Sequence, residues 1–173
     1  MGTLVAGDVI QRVSVALFDT NQAKWSSPEL LGYLNDGQRV IGTMQPTGTQ
    51  AIVSAPLRAG ARQSIPSNGW LLIDVIRNMG ADGLTPGRSI RIVSRRLLDG
   101  YDPDWMTERT PTAEAQSFFY DLRDQASFFV YPPSTGGVFV EINYAVVPVP
   151  LTSLNQSITI FDVMEEEIGR AHV

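Results

Sequence analysis

Cysteine is absent from the 173-residue sequence, and histidine occurs once, as His172. Without thiols there are no disulfides, no thiolate nucleophile and no cysteine-ligated zinc or iron–sulfur site. If His172 is set aside, no histidine remains for a Ser-His-Asp arrangement or a histidine metal site. Long apolar runs are also missing. No stretch approaches the roughly 18 to 20 residues of a membrane span, and the N-terminal MGTLVAGDVIQR lacks the basic flank and continuous apolar core of a signal peptide. No membrane association and a cytoplasmic site of synthesis are therefore expected. Ala6 stands where a myristoylation signal requires Ser or Thr. Positive charge is scarce as well: 13 Lys and Arg against 18 Asp and Glu give a net charge of −5. That balance argues against a chain whose main work is gripping phosphates.

What is present is a globular composition, 43% apolar and 18% charged, enough for one domain or two small ones. From about Leu4 to Phe18, the residues Val5, Val9, Ile10, Val13 and Leu17 recur at three- and four-residue steps, which predicts a helix. After a short link, SSPELLGYLNDGQRVIGTMQP predicts a second. Ser26 or Ser27 is placed to cap it, Pro28 suits its first turn, and Glu29 stands three residues after Ser26 as a capping box requires. Leu30, Leu34, Ile41 and Met44 form its stripe, and Pro46 with Gly48 stops it. Two amphipathic helices joined by a short link are expected to pack antiparallel.

Beyond Pro46 the period changes to short strands separated by Gly, Pro and Asn: around Val53, in ARQSIP, in NGWLLIDVIRNMG, and in GRSIRIVS, which alternates through Ile90 and Ile92. RRLLDGYDPDWM predicts a helical turn followed by a loop. QSFFYDLRDQASFFVYPP predicts an aromatic hairpin closed by its Pro pair, and GGVFVEINYAVVPVP a last strand before the polar link LTSLNQS. The expected fold class is α+β, an antiparallel helical pair belonging to a larger bundle with an inserted small antiparallel β-sandwich or β-sheet domain. The expected boundaries are 1–46 for the pair, 47–150 for the β-domain and 151–166 for a link and the start of a third helix. Asp162 would cap that helix, and Glu165, Glu166 and Glu167 would suit its dipole. The last seven residues, 167–173, are expected to be foreign, because EIGRAHV is what a common sequencing-library adapter encodes in this frame. On that reading the gene is truncated and His172 carries no function.

Candidate chemistry is sparse. Asp99, Asp102 and Asp104 lie close together in DGYDPD, but the spacing lacks the alternate ligands and internal Gly of an EF-hand loop, so a solvated turn is expected and no metal site. Asp121 and Asp124 flank a hairpin turn, where Asp is favoured for conformational reasons. GADGLTPG has no Lys-Ser/Thr ending and reads as a loop, not a phosphate cradle. Asn155-Gln156-Ser157 matches a glycosylation pattern that is common by chance. Arg95 and Arg96 suit a phosphate, a neighbouring subunit or a solvated strand end. Trp25, Trp70 and Trp105 read as core or loop anchors, with Trp105, beside its polar loop, the one suited to an interface. The expected interface set is thus Arg95, Arg96, Asp102, Asp104 and Trp105, with no catalytic residue, cofactor or metal.

The order GDVIQRV, ELLGYLNDGQRVI, AGARQSIP, LLIDVIRNMG, RSIRIVSRRLLDGYDPDW, FFYDLRDQASFFVYPP and VEINYAVVPVP resembles the head-to-tail adaptor proteins of short-tailed bacteriophages, the tail tubular protein A type, over about residues 4 to 166. The resemblance implies a structural protein of the virion neck, made in the host cytoplasm. It implies a ring of about twelve copies between the portal protein and the tail nozzle protein, with double-stranded DNA passing through without specific binding. It also implies C-terminal helices that close the bundle. Two other classes fit the residues. A β-sandwich binding surface glycans would use Phe118, Phe119, Phe128 and Phe129; neighbours on a strand point to opposite faces, so one member of each pair should be core, leaving the other free to be exposed in a groove. A polysaccharide hydrolase would need a carboxylate pair such as Asp102 and Asp104 in a cleft.

Overall fold

The computed structural model describes residues 4–107 and 110–158. The expected third helix from Asp162, the foreign tail and His172 lie outside these residues. Among the described residues the fold is α+β, with three α-helices and two sheets. The chain divides into two compact units, one of residues 1–49 with 146–173 and one of residues 50–145.

The first unit holds α1 (Ala6–Ala16), α2 (Ser27–Met44) and a 3-10 turn (Pro46–Thr49). Ala6 and Val9 of α1 share a core with Leu34 and Ile41 of α2, and with Leu151 and Ile158 from the segment that returns after residue 146. That segment, expected to be a polar link, closes the unit. The cap residue of α1 is Val5, which has no side-chain acceptor to offer. The first free N–H groups of the helix instead donate to backbone carbonyls of the return segment, Ala6 to Gln156 at 2.9 Å and Gly7 to Leu154 at 2.8 Å. Those donors would otherwise be orphaned at the helix start. A Cβ on Gly7 would lie 3.2 Å from the Leu154 carbonyl oxygen, a tight contact that glycine avoids. Asn35 of α2 grips the same segment. Its amide donates to the Leu151 carbonyl (3.0 Å) and its oxygen accepts the Leu151 N–H (2.7 Å).

Three details of the helices differ from expectation. Leu17 is half exposed and Met44 is 76% exposed. Leu17 is only the C-cap of α1, and the buried set of α2 ends at Ile41 and Gly42. The Ser26 side chain caps no backbone N–H; its hydroxyl instead stands 3.5 Å from the Glu29 carboxylate. Between the helices Asp19 accepts the N–H groups of Ala23, Lys24 and Trp25. These bonds, Trp25 foremost, hold its carboxyl below the ordinary range.

The second unit is built from β1 (Gln50–Pro56), β2 (Gly60–Ser64), β3 (Gly69–Asn78), β4 (Arg91–Ile92), α3 (Arg95–Tyr101), β5 (Ser117–Asp121), β6 (Asp124–Ser134) and β7 (Phe139–Val146). One sheet has the order β1-β7-β3 and the other β2-β6-β5-β4. The β1–β7, β2–β6 and β5–β6 pairs are antiparallel, while β4 lies parallel to β5. GRSIRIVS was expected to be a half-buried strand; it yields two paired residues with Ile92 63% exposed. It lies at the sheet's edge and turns into α3 two residues later, so only Ile90 is buried. The Pro pair does not close the hairpin either. Pro132 and Pro133 sit within β6, where Pro133 still accepts the Thr112 N–H at 2.8 Å. Proline removes a donor and leaves its carbonyl available, which suits a strand position of this kind.

Two buried amides fasten the turns. Gln63, 2% exposed, accepts the Arg58 N–H and donates to the carbonyls of Arg58 and Gly60. Asn78, 3% exposed, donates to the carbonyls of Arg88 and Ala115 and accepts the Ala115 N–H, all at 2.9 Å. The intervening GADGLTPG loop turns on Gly80 and Gly83, both at positive φ. Asp82 accepts the Thr85 hydroxyl and the N–H groups of Leu84 and Thr85, which draws its carboxyl down to about 2.

Two measurements test these assignments. Asn35→Ala removes both bonds to Leu151 and leaves buried backbone groups unpaired, so it should cost about 2–3 kcal/mol in urea unfolding; an unchanged midpoint would dismiss the clamp. Asp82 has a folded pKa below its ordinary 3.8, so its contribution is present above pH 3.8 and fades as pH falls toward 2. Asp82→Asn should therefore flatten the fall of melting temperature across that window, and a slope equal to wild type would exclude the role.

Candidate interaction surface

The expected interface residues gather on one face of the four-stranded sheet. Phe119 and Phe129 are cross-strand partners and stack with ring centroids 5.0 Å apart. That face alone would be an exposed aromatic platform. It is covered because α3 lays Leu98 onto it and the chain then turns back, with the Trp105 N–H bonded to the Asp102 carbonyl, to place Trp105 edge-on to Phe119 at 5.2 Å and Phe129 at 6.1 Å. Ala61, Leu98, Trp105 and Phe119 form one buried cluster.

The carboxylates around Trp105 have structural partners. The Trp105 indole N–H donates to Asp99 at 3.0 Å, and the other Asp99 oxygen meets the Arg95 guanidinium at 3.3 Å. Asp102 accepts the Tyr131 hydroxyl at 3.2 Å. Asp104 and Arg96 are exposed. Among the described residues no group of three or more His, Asp or Glu is placed to hold a metal ion; Asp99 and Asp102 brace the turn through the Trp105 indole and the Tyr131 hydroxyl.

Trp105 requires a correction. It is 2% exposed, so its ring belongs to the core and offers no surface to a partner. Its large apolar body needed burial, and Asp99 satisfies its one donor. The surface above it is instead formed by Leu97 and Tyr101, 69% and 79% exposed and one helical turn apart on α3, flanked by Arg96 and Asp104. Sequence reasoning missed this pair. The available signal was the doublet Leu97-Leu98 on a single turn, of which only one member points inward.

The other candidates are placed as follows. Phe118, Phe119 and Phe128 are buried and Phe129 is half-buried. Both faces of the hairpin are covered, contrary to the exposed member of each pair that a glycan-binding groove requires. Asp121 accepts the Arg123 N–H within the turn, and Asp124 meets the Ser127 hydroxyl and, at 3.0 Å, Arg62. The Ser127 bond foremost, and Arg62 with it, lowers the Asp124 pKa. Trp25 packs edge-on to Tyr33 at 6.2 Å, and Trp70 is half-buried in β3. Asn155 is exposed.

The braced helix α3 and its turn thus present Leu97 and Tyr101 among the exposed charges of Arg96 and Asp104. The chain matches the SU10 adaptor protein family over residues 6–168 and belongs to it. It is therefore a phage structural adaptor, and this family is not a known enzyme class. No curated protein matches the chain.

Trp105→Ala should cost about 3–5 kcal/mol by emptying the aromatic cluster, read from chemical unfolding. Arg96→Glu should leave stability within about 0.5 kcal/mol of wild type. Equal effects of the two would show that Trp105 is not the anchor of this face.

Proposed function

We propose that this phage adaptor is of the head-to-tail, tail tubular protein A type and works in the virion neck as a ring of about twelve copies between the portal protein and the tail nozzle protein. The observation that carries this reading is the family match over residues 6–168. A closed ring needs two different contact surfaces on each subunit, one for each neighbour. The α3 patch, with Leu97 and Tyr101 framed by Arg95, Arg96, Asp102 and Asp104, suits one of them, since interfaces combine apolar anchors with a polar rim.

Double-stranded DNA passes through this ring without specific binding. A net charge of −5 supports that role, because an acidic wall does not retain a polyanion.

The test is to mix the full chain with the portal protein of the same phage and image the product by electron microscopy. Rings seated on portal are expected, and Leu97→Asp with Tyr101→Asp should abolish them while leaving the circular dichroism spectrum unchanged. Portal particles that remain bare with wild-type chain would refute the neck assignment. Rings that tolerate both substitutions would remove α3 from the interface.

A further inference from the structure

Asn68 and Gly69 are the sequence's one Asn-Gly pair, and packing fixes the glycine. Gly69 opens β3 directly against Tyr144 of β7, where a Cβ would stand 2.4 Å from the ring's Cδ2 and 3.0 Å from the Cδ1 of Ile65. Tyr144 is 3% exposed, so its ring has no free space to withdraw into. Glycine allows this approach of backbone to ring because it has no Cβ. The Gly69 nitrogen is for the same reason unhindered on the side of the residue before it.

Asn68 itself is exposed, in the turn that Gly69 closes with an N–H bond to the Pro66 carbonyl at 2.9 Å. Its side-chain oxygen accepts the Tyr144 hydroxyl at 3.2 Å, and among the described residues its amide nitrogen has no hydrogen-bond partner. The carbonyl is thus polarised while the nitrogen is left to solvent. The other asparagines lack this combination. Asn35 and Asn78 have oxygen and nitrogen both engaged, and Asn143 donates to Gln50 within the sheet. Asn21 and Asn155 are exposed but each is followed by Gln, whose side chain hinders its own nitrogen.

We propose that Asn68 is a self-modifying site that converts slowly to aspartate and isoaspartate. The Gly69 nitrogen gives up its proton to solvent base and attacks the Asn68 side-chain carbonyl carbon. The new C–N bond closes a succinimide; the old amide C–N bond breaks, and the side-chain nitrogen takes a proton from solvent and leaves as ammonia. Water then opens the ring at one of its two carbonyls, and no oxidant or reductant is needed. The Tyr144 hydroxyl, already donating to the attacked carbonyl, stabilises the negative charge its oxygen carries in the tetrahedral intermediate. The bond from Gly69 to Pro66 must open first, which a surface turn does by local fluctuation and which makes the site slow. Isoaspartate routes the main chain through the side chain at the entry to β3 and adds a carboxylate beside Tyr144, so conversion loosens the β1-β7-β3 sheet. Nothing in this chemistry depends on what the chain docks to.

Peptide mapping by mass spectrometry of the full chain, held folded at mildly alkaline pH, tests it. Asn68 should convert before every other asparagine, with one ammonia released per conversion and a rate that rises with pH, because the attacking nitrogen must lose its proton. Tyr144→Phe keeps the ring that sets Gly69 and removes only the hydroxyl. It should slow conversion in the folded chain about tenfold or more, since a placed donor to a developing oxyanion contributes at least that much, whereas in urea the two chains should convert at equal rates. Should Tyr144→Phe fail to fold, the wild-type map still decides the site. Asn68 left intact after another asparagine has converted overturns the proposal. A folded Tyr144→Phe that converts as fast as wild type overturns the part assigned to the hydroxyl.

Discussion

Two carbonyl groups, those of Leu154 and Gln156, decide whether the helical unit exists as a unit. The start of α1 has no side-chain cap, and an eleven-residue helix is marginal without outside help. The return segment supplies that help from about 150 residues away in sequence. It accepts the Ala6 and Gly7 N–H groups, is gripped by Asn35, and places Leu151 and Ile158 in the core beside Ala6, Val9, Leu34 and Ile41. The β-unit is thereby inserted into a helical unit whose first and last described segments hydrogen-bond to each other. Closing so long a loop is entropically tolerable because the cost grows only with the logarithm of its length.

In the β-unit the corresponding constraint is coverage. A four-stranded sheet with aromatic residues on both faces leaves a large apolar surface unless something is laid over each. Leu98 and Trp105 cover the face of Phe119 and Phe129, and the bonds of Asp99 to the Trp105 indole and of Asp102 to the Tyr131 hydroxyl hold that cover in place. The cost of using a helix for this purpose is that its far side faces outward, with Leu97 and Tyr101 on it. In a protein that works by contact with other proteins, such a side is useful. The same coverage removes the aromatic groove on which a glycan-binding reading depended.

The helices and the hairpin were legible because their signals are local. Apolar residues at three- and four-residue spacing fix one face, and Pro28 and Pro46 bracket α2 closely. The phage adaptor class was legible as well, through the order of several ordinary motifs and not through any one of them. What failed was non-local. Nothing in LTSLNQS announces that its carbonyls will cap a helix at the other end of the chain, because backbone acceptors carry no sequence signature. The depth of Trp105 was misjudged for a related reason: a polar loop around a Trp reads as surface until Asp99 is seen to turn inward onto the indole. GRSIRIVS was read as a strand alternating through Ile90 and Ile92, whereas a two-residue edge strand followed closely by a helix buries Ile90 and leaves Ile92 exposed. The buried amides of Gln63 and Asn78 were invisible for the same reason as the caps, since their partners are main-chain atoms.

Native-state hydrogen exchange of the full chain tests most directly whether the return segment is integral to the helical unit. The amides of Ala6, Gly7, Leu151 and Ile158 should then exchange only through the same opening as the middle of α2, with matching free energies and matching loss of protection as denaturant is added. Exchange of these four amides orders of magnitude faster than that of Leu34 and Ile41, insensitive to denaturant, would show that α2 is stable without the return segment and would contradict the closure of the unit.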